Sequence, residues 1–435
     1  RLANEGQLRC KLASMITSLP ILSRPPPSGF LSFVFRSFSA VPQSNRSPED
    51  ISSHLHQAKS ALLLAAKHLG LSSVAITEAH PARTQPQFED WIEKGYNGEM
   101  QYLGRPDRLI RRRDLSIILP GVKSVVLVTQ SYFPGLEKFP SQSENPKHGN
   151  VSCYAWGTDY HKIIGDKLAV LAKLLHDDWG ADCRWFVDTG AVNERDLAAR
   201  AGLGFRGKNT MLIHPKAGSG FFIGEILTTL PLPPDSNPKM TRLEDKRCGA
   251  CRKCLDLCPT QAFVRPFVLD ARLCISYLTI ELKGSIPLHL RRLIGNHIYG
   301  CDVCQTVCPW NRADPHLDSP LWGPVAPEVA APVLTDLIRM DDHQFEQRFR
   351  HSPIFRIKRS RFLRNVAVAL GNSGDASAIP VLEQVLHCES DPLILEHVQW
   401  ALDTLRATTA SNATAASTAQ NVTVTLAQTE GAYAQ

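Results

Sequence analysis

The 435 residues of this chain contain no run that approaches eighteen uninterrupted apolar residues. A membrane-spanning helix needs about 18 or more of them, so we expect no membrane span and no membrane partner. Hydrophobic residues make up 43% of the chain and charged residues 21%, as in ordinary globular proteins of two or three domains. The net charge is only +6, which permits a polyanionic partner but does not require one.

The first fifty residues lack negative charge. No Asp or Glu occurs from Gly6 to Pro48, where arginine, serine and proline are frequent, and the chain does not begin with methionine. This composition is typical of organelle transit peptides, and RSFSA at 36–40 is similar to a mitochondrial cleavage region. The alternative is an unstructured terminal extension. We therefore expect a cytoplasmic protein, or a mitochondrial one if residues 1–50 are a transit peptide.

Cysteine is scarce outside one region. Four of the twelve cysteines are scattered, at Cys10, Cys153, Cys183 and Cys388, and the other eight fall within 61 residues. Such clustering in a long chain indicates metal ligation, because disulfide frameworks belong to short secreted domains. The clustered residues are Cys248, Cys251, Cys254, Cys258, Cys274, Cys301, Cys304 and Cys308.

The spacing of these cysteines indicates two [4Fe–4S] clusters. CGACRKCLDLCPT at 248–260 has the C-x2-C-x2-C-x3-C-P spacing of bacterial ferredoxins, in which the fourth cysteine binds the other cluster. GCDVCQTVCPW at 300–310 almost repeats it, but Ile298 stands where its first cysteine belongs. Cys274 is the one nearby replacement. We therefore predict cluster 1 on Cys248, Cys251, Cys254 and Cys308, and cluster 2 on Cys258, Cys274, Cys301 and Cys304.

Zinc is the alternative occupant of these thiols. Two sites with four thiolates each often use C-x2-C pairs. Three closely spaced cysteines followed by x3-C-P, in two copies, fit zinc poorly. Two clusters in one module predict single-electron transfer.

Residues 70–235 alternate between strand and helix patterns. A helix is predicted from the cap SPED at 47–50 to Gly70, and another at 165–180. Apolar runs predict buried strands at 124–133 and 183–188 and a closing strand at 224–232. The alternation predicts an α/β domain, with a sheet covered by helices.

The remainder of the chain has other patterns. Residues 231–246 read as a proline-rich linker and 315–332 as a loop. Residues 362–405 follow a helix–turn–helix pattern that resembles a single HEAT-type repeat, which must pack on a neighbour to bury its apolar face. Residues 407–435, rich in Ala, Thr, Ser and Gln, are predicted to be disordered.

Two further features indicate a site. Gly202, Gly204 and Gly207 match a dinucleotide fingerprint, but a helical pattern precedes them where that motif requires a strand. The glycines either let the backbone approach a large flat cofactor or form a helix cap and turn. Asp188 ends a predicted strand and is a candidate general acid or base, with a helix cap or surface acid as the alternative. Lys208 and Asn209 are candidate ligands for a phosphate or amide, or ordinary exposed loop residues.

Seven segments in order resemble the epoxyqueuosine reductase family. They are MQYLGRPDRLIRRRD with LPGVKSVV, YAWGTDYH, VDTGAVNERDLAARAGLGFRGKNTM, GSGFFIGEILT, the cysteine module, LDARLCISYLTIELKGSIP and GCDVCQTVCPWN. The resemblance covers about residues 53 to 406 and implies an oxidoreductase that reduces epoxyqueuosine to queuosine at the wobble position of tRNA. It also implies base-off cobalamin that receives electrons from the nearer [4Fe–4S] cluster. Asn193 departs from the family pattern, and we expect this departure to change the shape of the loop behind the acid and the fit of the substrate.

The resemblance also assigns residues and domains. Asp188 matches the family's proton donor, and the segments that contact cobalamin correspond here to Arg112, Asp188, Gly204, Gly207, Lys208, Asn209 and Thr210. The expected domains are an extension at 1–50, an α/β cobalamin-binding catalytic domain at 51–236 and a ferredoxin-like module with two clusters at 237–325. A helical HEAT-like region that contacts tRNA is expected at 326–406, and a disordered tail at 407–435. His161 is not expected to bind cobalt.

Two basic runs are candidates for tRNA contact. One carries arginines at 105, 108, 111, 112 and 113, and the other carries Arg356, Lys358, Arg359, Arg361 and Arg364 without an acid. A charge run is usually a solvated face, but the second run starts the HEAT-like unit and is predicted to bind tRNA phosphates. The other expected partner is an external electron donor, and the chain is expected to be a monomer.

Two other classes of protein fit less well. A reductive dehalogenase would share the cofactors, but it would not need the basic HEAT-like region and usually has a twin-arginine export signal, which this sequence lacks. A plain ferredoxin-like electron carrier would not explain almost two hundred residues of α/β domain before the cysteines.

Overall fold

The computed structural model describes residues 47–135, 139, 145–235, 246–312, 321 and 325–411. Residues 1–46 of the predicted extension or transit peptide therefore lie outside the described residues, and its last four, 47–50, cap and begin a helix. Most of the predicted linker, half of the predicted loop at 315–332 and residues 412–435 of the predicted tail also lie outside, and Pro327–Ala330 of that loop is helical. None of the helices within the described ranges is long and apolar enough to cross a membrane.

A four-stranded sheet forms the centre of the first domain, with its strands in the order β1-β2-β7-β4. Every neighbouring pair is antiparallel, as at Val126 of β2 opposite Ile226 of β7. The domain is therefore α+β, and the α/β prediction is wrong in the direction of its strands. The strands are β1 (Ser73–Glu78), β2 (Ser124–Ser131), β3 (Asn150–Val151), β4 (Cys183–Phe186), β5 (Phe205–Arg206), β6 (Leu212–Ile213) and β7 (Phe221–Thr228).

The position of each strand in the sheet decides its burial. β2 has neighbours on both sides and is buried along its whole length, in agreement with its continuous apolar sequence. β4 lies at the edge, and its Arg184 and Trp185 are exposed. The prediction of a buried strand at 183–188 is therefore correct in position but wrong in burial, because an edge strand has a neighbour on only one side.

Helices cover both faces of this sheet, as predicted. Val126 of β2 shares one core with Leu62 and Ile164, whereas Leu127 shares a second core with Leu197. Successive residues of a strand point to opposite faces, so one strand serves both cores. The helices of this domain are α1 (Pro48–His68), α2 (Gln85–Glu93), α3 (Pro106–Arg113), α4 (Tyr160–Trp179) and α5 (Glu194–Arg200).

Local sequence determines where the two long helices begin and end. The hydroxyl of Ser47 accepts a hydrogen bond from the backbone N–H of Asp50, whose side chain binds the backbone of Ser47 in return. Asp159 caps α4, which begins at Tyr160, five residues before the predicted start, and Gly180 ends it in a left-handed conformation. Both predicted helices are confirmed.

The cysteine module consists of short elements between loops. Its strand β10 pairs in parallel with β3 of the first domain, so the two parts of the chain share a small sheet. The helices are α6 (Lys253–Asp256), α7 (Ile275–Ile280), α8 (Leu288–Arg291) and α9 (Val303–Thr306), and the strands are β8 (Phe263–Arg265), β9 (Val268–Leu269) and β10 (His297–Tyr299).

The last described part is helical, as predicted for 326–406. The centre of this part is helix α13 (Lys358–Ser373), in which ten consecutive residues from Phe362 to Gly371 are buried. The final helix continues to residue 411, five residues into the predicted disordered tail. The identification of this unit with a HEAT repeat stays a prediction. The helices are α10 (Pro327–Ala330), α11 (Leu334–Leu337), α12 (Asp342–Phe349), α13 (Lys358–Ser373), α14 (Ile379–Cys388) and α15 (392–411).

Candidate active site and cluster-binding loops

Asp188 lies in the loop that follows the edge strand β4. Its φ of 58° is in the left-handed region, which is uncommon for a residue other than glycine and marks functional loops. The hydroxyl of Tyr160, at the start of α4, donates a hydrogen bond to Asp188 Oδ2. The Tyr160 ring is stacked on Phe222 of β7, with 3.9 Å between the ring centroids. The buried sheet therefore fixes the position of the hydroxyl, which holds an exposed carboxylate.

Two further acids lie close to Asp188. Glu194 is in the first turn of α5, and burial followed by the charge of the nearby Asp188 raises the pKa of Glu194 to about 8. Glu225 of β7 is 1% exposed. Burial and the charges of Glu194 and Asp188 raise the pKa of Glu225 well above its usual value. Sequence analysis missed both residues, although a single acid within the apolar run FFIGEILT is a sign that Glu225 is buried.

Arg112 binds the inner side of the loop that follows Asp188. It is 7% exposed, and its Nη1 donates to Val192 O at 2.6 Å and to Asn193 Oδ1 at 3.0 Å. Asn193 Nδ2 in turn donates to Gln85 Oε1 at 2.7 Å. The family departure at Asn193 is therefore an internal bridge between α2, α3 and the loop. Arg112 lies on the inner side of this loop, and its predicted contact with cobalamin stays a prediction.

The glycine-rich segment forms a β-hairpin and not a nucleotide-binding turn. β5 follows α5 and pairs with β6, so the rejection of the dinucleotide fingerprint is confirmed. A Cβ on Gly204 would lie 2.7 Å from Ile213 O, and one on Gly207 would lie 2.4 Å from Ile213 Cδ1. The hairpin itself therefore requires these two glycines. Of the two interpretations that the sequence left open, this supports the one in which the glycines form a turn.

The residues after the glycines bind the cysteine loops. Lys208 Nζ donates to Gly249 O at 2.6 Å and to Cys251 O at 2.9 Å. Asn209 Nδ2 donates to Cys304 O at 3.2 Å. Thr210 O accepts a hydrogen bond from Arg195 of α5 at 2.9 Å. The turn at 207–210 thus connects the helix next to Asp188 with both cysteine motifs.

The four cysteines predicted for cluster 1 line one cavity of about 240 Å³. Burial, followed by the charges of the other three thiols, raises the pKa of Cys254 to about 11. Such mutual repulsion between thiolates is relieved when they bind iron. Asn209 and Trp310 complete the wall, and Trp310 contacts Phe205 edge to face at 5.2 Å. The cysteines of this cavity are Cys248, Cys251, Cys254 and Cys308.

The four cysteines predicted for cluster 2 also lie together. The charges of Cys274 and Cys258 contribute to the raised pKa of Cys301, and those of Cys301 and Cys274 to that of Cys304, after burial in each case. Ile298, at the position of the missing cysteine, is 0% exposed in β10 and packs in the core. The strand turns this position away from the loop, which supports the prediction that Cys274, from further upstream, is the fourth ligand of cluster 2.

In the described part of the chain, no three His, Cys, Asp or Glu side chains are arranged around a single metal ion.

The second basic run divides into buried and exposed residues. Arg364 is 0% exposed and donates to the carbonyls of Leu282, Gly284 and Leu278, so its predicted tRNA contact is wrong. Its helical position turns inward, which a run of charges in sequence does not reveal. Two other arginines are half-buried and bind main-chain carbonyls: Arg359 donates to Met340 O, and Arg361 to Ile357 O and Ile280 O.

Arg356 and Lys358 are the exposed members of this run. Arg356 Nη1 lies 3.0 Å from His161 Nε2, and His161 Nδ1 lies 2.7 Å from Asp159 Oδ1. Arg356 of the helical region therefore lies beside the start of α4, where its partner His161 is the residue next to Tyr160. His161 has protein partners at both ring nitrogens.

The first basic run contributes to an open groove of about 310 Å³ beside the Asp188 loop. Arg108 and Arg111 of α3 line it together with Arg184 of β4 and the loop residues Thr189 and Gly190. Arg108 Nη1 also donates to Thr189 O at 3.2 Å. Sequence analysis missed Arg184, which pairing of β4 with the sheet brings to this surface.

Two family models match the chain. Residues 112–189 match "Epoxyqueuosine reductase QueG, DUF1730", and residues 247–311 match the "4Fe-4S double cluster binding domain". Among curated relatives, the epoxyqueuosine reductase of Shigella dysenteriae is 40% identical over 357 residues, which cover 82% of this chain and 90% of that protein. The Escherichia coli K12 enzyme is 41% identical over 336 residues, covering 77% and 86%.

Solved structures give the same result. An epoxyqueuosine reductase in complex with an epoxyqueuosine-modified tRNA-Tyr stem loop has a TM-score of 0.73 and 33% identity, and covers 81% of this chain and 91% of its own. The enzyme from Streptococcus thermophilus has a TM-score of 0.71 and 30% identity, covering 80% and 90%. The relatives are matched over most of their length, through the cysteine module and the loop of Asp188, and the chain belongs to the epoxyqueuosine reductase family of oxidoreductases.

Proposed function

We propose that this chain reduces epoxyqueuosine to queuosine at the wobble position of tRNA, with base-off cobalamin, two [4Fe–4S] clusters and Asp188 as the proton donor. The observation that carries this proposal is the turn at 207–210, which binds α5 through Thr210 and the cluster 1 loop through Lys208. The acid and the source of electrons are thereby attached to one rigid hairpin.

The chemistry requires both parts. When an epoxide becomes an alkene, both C–O bonds break, a C=C bond forms, and the oxygen leaves as water after uptake of two electrons and two protons. The clusters transfer electrons one at a time. An acid is needed because alkoxide is a poor leaving group. Asp188, held by Tyr160, is exposed to a bound substrate and takes this role.

Cobalamin fits the set of chemical groups at the site. The side chains around Asp188 supply protons and the cysteines hold electron carriers, but none of them is a strong nucleophile toward carbon. Bound cobalamin supplies low-valent cobalt, which provides that reactivity. The residues that would hold it are Lys208, Asn209 and Thr210 of the turn and those of the Asp188 loop, whereas Gly204 and Gly207 shape the hairpin from within.

Transfer RNA fits the charge of the surface around Asp188. Arg108, Arg111 and Arg184 line the groove beside the loop, and Arg356 and Lys358 are exposed near the start of α4. A solved relative is bound to a modified tRNA stem loop. An enzyme that acts on a base must take it out of the stack, and basic side chains that bind the flanking phosphates hold the strand in place.

The proposal extends to the division of labour along the chain. Residues 51–236 form the cobalamin-binding catalytic domain, 237–325 the ferredoxin-like module, and 326–406 the HEAT-like region, which contacts tRNA through Arg356 and Lys358. An external electron donor reduces the clusters, and the protein acts as a monomer.

Anaerobic reconstitution tests the proposal. We expect the purified chain to hold about eight irons and to bind cobalamin with a base-off visible spectrum, and to convert epoxyqueuosine to queuosine in tRNA. Iron content with no cobalamin binding and no conversion would instead favour an electron carrier. Conversion without cobalamin would overturn the cofactor assignment alone.

A further inference from the structure

We propose that Glu194 and Glu225 form a proton store that supplies Asp188 with the second proton of the reaction. This inference rests on the proposed function. The epoxide oxygen leaves as water and takes two protons, whereas one carboxyl group at Asp188 carries only one. The other proton must therefore reach Asp188 within each turnover, from solvent or from a group of the protein.

The geometry connects the three carboxyl groups. Glu194 lies close to Asp188, since the charge of Asp188 is one of the main causes of the raised pKa of Glu194. Two neighbouring carboxylates can only repel each other, whereas a proton on one of them lets it donate a hydrogen bond to the other. The pair can therefore share a proton, and Asp188 is the exposed member.

Glu225 extends the store into the sheet. It lies opposite Phe186 in the pairing of β7 with β4, directly below the loop that begins two residues later with Asp188. A Cβ on Gly190 would lie 3.1 Å from Glu225 Oε1, so the loop backbone covers this carboxyl group. Glu225 Oε2 is buried and, among the described residues, has no hydrogen-bond partner. A buried oxygen without a partner is far more stable in a neutral acid than in a carboxylate.

The surrounding charges do not balance three carboxylates. Arg112 is the buried cation, and its Nη1 is engaged with Val192 O and Asn193 Oδ1. Arg195 lies at the exposed start of α5 and binds Thr210 O. The titratable and charged groups that face the two glutamates are Asp188 from the loop, Arg112 from α3 and Arg195 from α5, together with each other. Like charges at short distance cannot all ionise, so the cluster retains at least one proton near neutral pH.

The raised pKa values of both glutamates agree with this arrangement. A group near pKa 8 is protonated at neutral pH and releases its proton readily enough to recharge Asp188. Glu194 is thus the donor to Asp188, and Glu225 is the buried member that favours protonation of Glu194. Both act through Asp188 and are positioning residues.

The test compares Glu194→Gln and Glu225→Gln with the wild-type chain, each anaerobically reconstituted and given tRNA that carries epoxyqueuosine. We expect kcat to fall at least about 10-fold in Glu194→Gln while KM for tRNA and iron content stay unchanged. We expect kcat of the wild type to decline as pH rises through about 8, and this decline should be displaced in both variants. Glu225→Asp should keep a higher kcat than Glu225→Gln, because aspartate retains a carboxyl group that can carry the proton. Glu346→Gln, the same change on the exposed side of α12, should behave as the wild type.

Each result has one meaning. If the wild type converts epoxyqueuosine and Glu194→Gln matches it in kcat and pH profile, the proton store is overturned and the proposed function stands. If the wild type itself fails to convert epoxyqueuosine, the proposed function is overturned, and the store with it. If Glu225→Gln does not fold, Glu194→Gln decides, because Glu194 is more exposed than Glu225.

Discussion

Tyr160 donates a hydrogen bond to the carboxylate of Asp188, although the two residues are 28 positions apart and lie on different elements. Stacking on Phe222 and burial hold the Tyr160 ring in place, and burial raises the pKa of Tyr160, so the hydroxyl keeps its proton. The hydrogen bond from Tyr160 thus fixes the side chain of Asp188, whose backbone is held in a left-handed conformation by the loop.

Removal of this hydroxyl should slow turnover. We expect Tyr160→Phe to lower kcat by about 10-fold or more, because a hydrogen bond to a charged group contributes about 1.5 to 3 kcal/mol. The ring and its stacking remain, so iron content and tRNA affinity should not change. Tyr96→Phe, which removes a hydroxyl from another half-buried tyrosine of the same domain, is the matched control. Equal kcat for both variants would show that Tyr160 does not position the acid.

Asp188→Asn should abolish most turnover and leave binding intact. An amide has the size of the acid but cannot give up a proton, and general acid catalysis contributes about 10² to 10⁴ in rate. The measurement is single-turnover conversion of epoxyqueuosine in tRNA, together with iron and corrinoid content. Full activity in the variant would remove Asp188 from the mechanism.

The unusual ligand of cluster 2 can be tested with a pair of substitutions. Cys274→Ser should lower the iron content from about eight to about four per chain and leave the signal of one cluster in electron paramagnetic resonance. A second change, Ile298→Cys, should not restore the iron, because Ile298 is buried in β10. Cys388→Ser, at an exposed position, is the control. Restoration by Ile298→Cys would mean that the strand does not turn this position away from the cluster.

Salt dependence of tRNA binding should separate the exposed basic residues from the buried ones. We expect Arg356→Gln combined with Lys358→Gln to reduce the slope of log affinity against log salt concentration by about 0.7 to 0.9 for each lost phosphate contact. Arg339→Gln, an exposed arginine of the same region, should leave the slope unchanged. The measurement is a fluorescence anisotropy titration at several salt concentrations. The same slope for all variants would place the tRNA elsewhere.

Burial of Glu225 has a consequence for stability. The pKa of Glu225 is higher in the folded chain than in the unfolded chain. Its contribution to the free energy of unfolding is therefore fully present below its pKa in the unfolded chain and is lost as pH rises through its pKa in the folded chain. Glu225→Gln has no such pH-dependent loss of stability, because glutamine does not ionise. We expect the thermal midpoint of the variant relative to wild type to increase by a few °C between neutral and alkaline pH, measured by scanning fluorimetry under argon. A difference that is constant with pH would show that Glu225 is not protonated in the folded chain.

Local patterns were sufficient for several parts of this protein. The capping box at Ser47, the left-handed cap at Gly180 and the apolar run of β2 each specify an element through contacts between near neighbours in sequence. The cysteine spacing likewise predicted two groups of thiols, because a short loop can place only nearby thiols around one cluster. The helix ahead of the glycines was enough to reject a nucleotide-binding turn.

Only the tertiary structure decided which charged residues are free to act. The buried Arg364 and the exposed Arg356 belong to the same basic run, and the packing of α13 alone separates them. Glu225 and Glu194 come to Asp188 from a central strand and a helix that follow it in sequence, because β7 lies beside β4 in the sheet. Sequence determined the elements and the ligand spacing, since those depend on neighbours along the chain. Folding decided burial, partner and protonation, since those depend on distances between segments that sequence separation does not set.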